Sequence, residues 1–397
     1  MPALDGLLIA DFTRVLAGPY ATMLLADLGA QVIKVERPGV GDDTRAWAPP
    51  FDAGGHATYF QSVNRNKRSV TLDLAAPTDV VLARELAARA DVMMHNFRPG
   101  HMSRYGLDYP TVSTGNPGIV YAEISGFGDG AGAALPGYDL LVQAVGGLMS
   151  ITGEPGEPTK VGVALVDVLA GLHATIGVLA ALESRHRTGL GQLVTVNLLG
   201  TLLSSMVNQS AAYVGAGVIP GPLGNAHPSV APYQPFATAD QPIVVAAGND
   251  GQFRKLCVVL GQPELADDEK FATNPARVTN RVELSEVLTV AFSAAGAAVW
   301  QEQLTAVGVP CGPINDIGQA FALAESLGLH PMPGFGALAD AGAADNAAVP
   351  GPRTTANPIT LTETPVRYVR PAPELGADNQ EVRAWLADPA GESRLPS

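Results

Sequence analysis

The feature that most constrains this chain is the alternation of short strand-like and longer helix-like stretches over its first 130 residues. Leu7-Leu8-Ile9-Ala10 is a brief apolar run that ends at Asp11. Residues 20–28 read as a helix, opened by Pro19 and stopped by Gly29. Residues 32–35, 69–74, 92–94 and 119–122 read as further strands, and 77–90 as a helix with Thr78 and Asp79 capping its start. Parallel strands need crossovers, and crossover helices cover both faces of the sheet. The predicted fold class is therefore α/β, with a Rossmann-like open parallel sheet in a large domain.

The pattern continues with a long apolar helix over 168–184, with Asp167 just before it, and a second helix over 194–213. Then the texture changes. Residues 215–235 are rich in Gly and Pro and read as a linker or binding loop. A strand at 242–247 and helices at 252–260 and 281–292 suggest a smaller α+β domain. A length of 397 residues suits two domains. We expect a large domain over 1–214, completed by 330–397, and a linker with the small domain over 215–329. Residues 332–352 are of low complexity and read as a surface loop.

An α/β chain invites a dinucleotide-binding reading, which needs G-x-G-x-x-G after the first strand. Here that position reads Thr13-Arg14-Val15-Leu16-Ala17-Gly18-Pro19. The glycines at 126, 128, 130 and 132 come late and lead to Pro136 rather than a helix. The Walker lysine motif and the Gly-x-Ser-x-Gly elbow are also missing. A net charge of −14 with only 24 Lys and Arg argues against nucleic acid as a partner. No uninterrupted apolar run of 18 residues is present, and residues 193–207, taken as the best candidate, carry Asn197, Ser204 and Ser205, so no membrane span is expected. Cys257 and Cys311 are too few and too far apart for a disulfide framework or zinc site, and no signal peptide is visible, so a cytoplasmic protein is expected. No cluster suggests a metal.

Four segments remain, three at strand ends and one leading into a strand: 11–19, 34–42, 64–69 with Leu72 beyond, and His95-Asn96-Phe97-Arg98-Pro99-Gly100 with Arg104 beyond. Ligands of open α/β sheets bind beside those strand ends. The segments carry Arg37, Arg68, Arg98 and Arg104 in an otherwise acidic chain. Arginine grips phosphate with two parallel bonds, so an elongated phosphate-bearing ligand suits the set. Solvated salt bridges are the alternative. Asp167, by local sequence, reads as a helix cap, and a helix N-terminus would also keep a carboxylate ionised.

In order and spacing these segments resemble the class III CoA transferases, the CaiB/BaiF family that includes formyl-CoA transferase, carnitine CoA transferases and α-methylacyl-CoA racemases. The likeness extends through Val163-Ala164-Leu165-Val166-Asp167, Arg187-Thr188-Gly189-Leu190-Gly191-Gln192 and Gly308-Val309-Pro310-Cys311-Gly312-Pro313, over about residues 4–380. The resemblance implies an interlocked homodimer with coenzyme A at the sheet edge, bound as substrate and product rather than as a resident cofactor. It makes Asp167 the nucleophile, passing through a mixed anhydride and an aspartyl-CoA thioester. It makes the backbone N–H groups of Val15, Leu16 and Ala17 candidate oxyanion donors. Arg37, Leu72, Asn96, Phe97, Arg98, Arg104 and Tyr138 are the further expected CoA contacts. Residues 223–229 match the family's glycine-rich loop, with fewer glycines.

The family's racemases place a His-Asp pair where this chain has Tyr138-Asp139. A tyrosine, with a pKa near 10, is a poor base at neutral pH. The transferase reading is therefore preferred to a racemase or a catalytically silent CoA-binding member. Asp139 is either a polar support near the acyl site or a helix cap. The loop followed by Pro232-Tyr233 resembles transferases that use succinyl-CoA and a dicarboxylic acid, with Arg14 or His227 meeting the second carboxylate.

Overall fold

The computed structural model describes residues 1–336 and 352–388, so most of the low-complexity stretch at 332–352 lies outside the described residues. The chain forms two compact units. The first contains residues 1–148, 161–217 and the C-terminal stretch from 330; the second contains 149–160 and 218–329.

The first unit is built on six strands: β1 (Leu8–Asp11), β2 (Gln31–Glu36), β3 (Lys67–Thr71), β4 (Val92–His95), β5 (Val120–Ser125) and β6 (Leu193–Asn197). They pair in parallel in the order β3-β2-β1-β4-β5-β6. Order reverses between β1 and β4, and a crevice opens beyond their carboxyl ends at such a switch point. The strands β1 to β5 are nearly all buried because both faces are covered; β1, β4 and β5 are mainly apolar, whereas β2 and β3 also bury Lys34, Glu36, Lys67, Arg68 and Ser69.

One face packs under α1 (Ala17–Asp27), α5 (Asp139–Val145), α6 (Leu165–Thr188) and α7 (Leu198–Ser205). The other packs under α3 (Pro77–Arg89), α4 (Tyr109–Gly115) and the C-terminal helix Asn379–Ala387. The remaining helices of this unit are α2 (Thr58–Asn64) and α8 (Val207–Ala216). Helix α6 has the length and mean hydropathy (2.0) of a membrane-crossing helix. Its stripe of Val166, Ala170, Ala174, Val178 and Ala181 is nevertheless buried in the core. Gly171 allows the closest approach to α1: a Cβ there would stand 2.6 Å from the Ala17 carbonyl oxygen.

Three sequence expectations are corrected. The helix expected over 194–213 begins as strand β6 and is followed by two helices, α7 and α8. Helix α6 starts earlier than expected, at Leu165, so Asp167 is in its first turn and not its cap; the cap position is Ala164. At α3, Pro77 opens the helix as expected, but Ala76 is the cap and no side chain caps it.

The second unit holds a small antiparallel sheet of β7 (Tyr233–Phe236), β8 (Ile243–Ala246) and β9 (Cys311–Pro313). Helices including Asp250–Val259, Arg281–Phe292 and Ala297–Ala306 pack over a core centred on Phe236, Phe253, Phe292 and Trp300.

Candidate active site at the switch point

The loop between β1 and α1 forms the floor of the site, and buried charge holds it. Asp11 ends β1 with no exposure and accepts from Thr13 N and Oγ1, Thr22 Oγ1 and Lys67 Nζ. Burial opposes its charge, but Lys67 and Lys34, helped by the threonine hydroxyls, outweigh burial and hold the carboxyl at about 2. Lys67, equally buried, is brought down to about 8 by desolvation, against the pull of Asp11. Lys34 donates to the Thr13 carbonyl at 2.9 Å and to Asp42 at 2.8 Å.

These bonds force Val15 into a left-handed backbone conformation, φ 70°. A β-branched residue there is strained, on the order of 1–3 kcal/mol. Two clamps hold it. Asp42 Oδ1 accepts the Val15 N–H at 3.2 Å, and Asn96, just beyond β4, brackets Arg14 by accepting from its N–H at 2.9 Å and donating to its carbonyl at 2.6 Å. The switch point is thereby stitched across β1 and β4. The Val15 N–H is consequently occupied within the protein. The Leu16 and Ala17 N–H groups, at the start of α1, have no partner among the described residues.

Above this floor lies a cleft of about 600 Å³. It is lined by Arg14, Val15, Leu16, Ala17, Arg37, Leu72, Asn96, Phe97, Arg98, His101, Tyr105, Tyr138 and Asp167. A smaller cavity of about 80 Å³ shares Ala17, Asn96, Phe97, Arg98, Gly137 and Asp167 with it. Gly126 and Gly137 bring two loops of that smaller cavity together, since a Cβ on either would stand 2.5 Å from the other's Cα.

Asp167 is half-buried, and its carboxylate makes no hydrogen bond among the described residues. Burial first, and the Asp139 charge second, push its pKa up to about 7. Local sequence suggests the opposite, a carboxylate kept ionised by a helix N-terminus; burial and the like charge of Asp139 act against ionisation here. Asp139 Oδ1 accepts from Val166 N at 2.8 Å, so it caps α6 rather than its own helix. Tyr59, on α2, is pushed above the usual phenol range by burial first and then by the charges of Asp167 and Asp139.

The expected cations separate. Arg37 and Arg98 are exposed on the cleft wall and make no ion pair among the described residues. Arg14 lies over the Phe97 ring, 5.1 Å from its centroid, with an exposed salt bridge to Asp43 at 3.3 Å. Arg104 is exposed but off the cleft lining, where His101 and Tyr105 from the same turn stand instead. Arg68 is no ligand cation, because it is spent on Glu381 at 2.7 Å in the C-terminal helix. His227 lies in the second unit, where its Nδ1 accepts from Ser229 N. Sequence reasoning did not single out Lys34, Asp42, Tyr59 or Gln143. Their roles depend on contacts between distant elements, which no local pattern records. Among the described residues no three His, Cys, Asp or Glu side chains could hold a metal ion.

Comparison with known proteins gives a consistent result. The profile of CoA-transferase family III matches residues 4–379. A succinate–glutarate CoA-transferase from Agrobacterium fabrum is 43% identical over 97% of this chain and 96% of that protein. A human succinyl-CoA:glutarate CoA-transferase is 42% identical over 94% of this chain and 83% of that protein. The crystal structure of a CaiB/BaiF family protein from Brucella suis superposes with a TM-score of 0.83 at 39% identity, covering 97% of this chain and 99% of that one.

Proposed function

The chain belongs to CoA-transferase family III and is a CoA-transferase, and we propose that it moves CoA from succinyl-CoA to a short dicarboxylic acid through a covalent intermediate on Asp167. The observation that carries this reading is the position of Asp167. It is half-buried where two cavities meet, beside the unpaired N–H groups at the start of α1, with burial and the Asp139 charge raising its pKa to about 7. The names of the relatives supply the donor and the acceptor class.

The ionised Asp167 attacks the thioester carbonyl, the C–S bond breaks and CoA leaves as thiolate, giving a mixed anhydride. The thiolate then attacks the aspartyl carbonyl carbon, releasing succinate and leaving an aspartyl-CoA thioester. The acceptor carboxylate attacks that thioester, forming a second anhydride and freeing thiolate again. Attack of the thiolate on the acceptor's carbonyl gives the new acyl-CoA and restores Asp167. Each step develops negative charge on a carbonyl oxygen, and the Leu16 and Ala17 N–H groups are its donors. Removal of water from the carboxylate favours its attack. Energy is conserved because one thioester replaces another, so no resident cofactor is required.

Arg37 and Arg98 suit the phosphates of CoA, Leu72, Asn96, Phe97 and Tyr138 contribute further walls, and Arg104 is the most peripheral contact. Arg14 suits the far carboxylate of the acceptor. Exposed apolar residues on α6 and α8 support a homodimer, interlocked as in the family. Two free thiols, Cys257 and Cys311, suit the reducing cytoplasm in which we place it.

The test is a screen of acceptor acids against succinyl-CoA and acetyl-CoA, with products identified by mass. We expect a dicarboxylate such as glutarate to yield its CoA thioester. Failure of every acid, with α-proton exchange on a 2-methylacyl-CoA, would replace the transferase reading with that of a racemase.

A further inference from the structure

We propose that Asp139 and Gln143 are positioning residues for the transfer: together they clamp residues 161–166, the segment that delivers Asp167 to the cleft. The inference rests on the reading of Asp167 as the nucleophile.

The chain between α5 and α6 leaves the first unit at residue 149 and re-enters it at Val161. No strand or helix of its own holds this re-entering stretch before Leu165. Two side chains of α5 do so instead. Asp139 starts α5, yet its Oδ1 accepts from Val166 N at 2.8 Å and its Oδ2 from Gln143 Nε2 at 2.7 Å. Gln143, one turn further on and fully buried, accepts from Val161 N at 2.9 Å with Oε1. Its Nε2 also lies 3.5 Å from the Val163 carbonyl. Backbone groups on both sides of Ala164 are therefore tied to one helix.

Ala164 occupies the cap position of α6 and has no side chain that could cap it. Asp139 performs that function from 27 residues away. The residue after Val166 is Asp167, whose carboxylate has no hydrogen bond among the described residues to fix it. Its place in the cleft is set by its backbone, and the backbone is set by the clamp. Helix α5 is itself anchored at its start, since Gly137, two residues before Asp139, packs directly on Gly126. Displacing a reacting group by about 1 Å costs roughly 100-fold in rate.

The experiment uses the full-length enzyme with succinyl-CoA and an accepted acid, at a pH well above 7 so that Asp167 is ionised throughout. Asp139→Ala deletes the bond to Val166. Gln143→Met keeps the buried volume and deletes the bonds at Val161 and Val163, so it tests the clamp even if Asp139→Ala fails to fold. We expect kcat to fall by about 100-fold in each, with the KM for acyl-CoA little changed. Asp139→Asn keeps an acceptor for Val166 N but turns an amide donor toward the Gln143 Nε2 donor, so kcat should recover in part above that of Asp139→Ala; a merely structural loss would give no such rescue at equal folded fraction. Wild-type kcat in Gln143→Met, a loss confined to KM, or an Asn variant no better than a folded Ala variant would overturn the clamp. Asp167→Ala separates the two readings. Activity in that variant would sink the nucleophile itself, whereas an inactive Asp167→Ala alongside fully active clamp variants would sink only the clamp.

Discussion

At the scale of the residue, the site depends on which charges are solvated and which are not. Asp11 and Asp167 are both carboxylates near the start of α1, but their surroundings push them apart, to about 2 and about 7. Asp11 has two lysines and hydroxyl donors; Asp167 has burial and a like charge. If ionised Asp167 is the reacting form, kcat/KM rises with pH through a limb near 7, whereas an ordinary aspartate would be fully ionised above about pH 5. The titratable groups facing it are Asp139 on α5 and Tyr59 on α2, and the phenol stays protonated through this range. Removing the Asp139 charge with Asp139→Asn should therefore move the limb to lower pH in a pH–rate profile. A limb that stays in place would mean that Asp139 does not tune the nucleophile. The reading of Asp167 as a nucleophile came from the sequence only through the ordered motifs around it. Local sequence suggested a helix cap, and the true cap, Asp139, is 27 residues away. The same limit applied to Arg68, which reads as a ligand cation until the C-terminal helix supplies Glu381.

At the scale of the element, the parallel sheet was legible chiefly through β1, β2, β4 and β5, whose buried stretches read as short apolar runs; β3 is Lys-Arg-Ser-Val-Thr and β6 is only partly buried. Strand β6 was not, because Leu193-Val194-Thr195-Val196-Asn197 runs without a turn into the apolar α7, and periodicity cannot separate a short strand from the helix that follows it. The start of α6 was misplaced because its cap comes from another helix. What the elements do for the site is bring the N-termini of α1 and α6 together. Gly171 sets that crossing, so Gly171→Val should destabilise the fold by about 1–3 kcal/mol through overpacking, measured by denaturant unfolding. It should lower kcat as well, because Ala17 is the residue struck. Unchanged stability and kcat would show that the α1–α6 contact can relax without moving the site.

At the scale of the whole molecule, α6 and α8 leave large apolar side chains exposed. Ile176 on α6 and Val214 on α8 are 64% and 83% exposed, and α8 buries no residue within the chain. A monomer that leaves such faces in water is unusual. We expect light scattering to give the mass of a dimer that persists on dilution, and a monomer at working concentration would contradict this. The change in composition near residue 215 lies close to residue 218, where the main stretch of the second unit begins; the Gly-, Pro- and Glu-rich stretch 149–160 was not assigned to that unit, because composition marks a loop without saying which unit it joins. The excursion of that stretch is why the clamp from α5 matters to the nucleophile. Trapping reads out whether Asp167 carries CoA. The enzyme is incubated with succinyl-CoA, quenched with hydroxylamine and mapped by peptide mass spectrometry. A hydroxamate on Asp167, formed only when acyl-CoA is present, is the expected product. An unmodified Asp167 peptide, together with full activity in Asp167→Ala, would contradict this role.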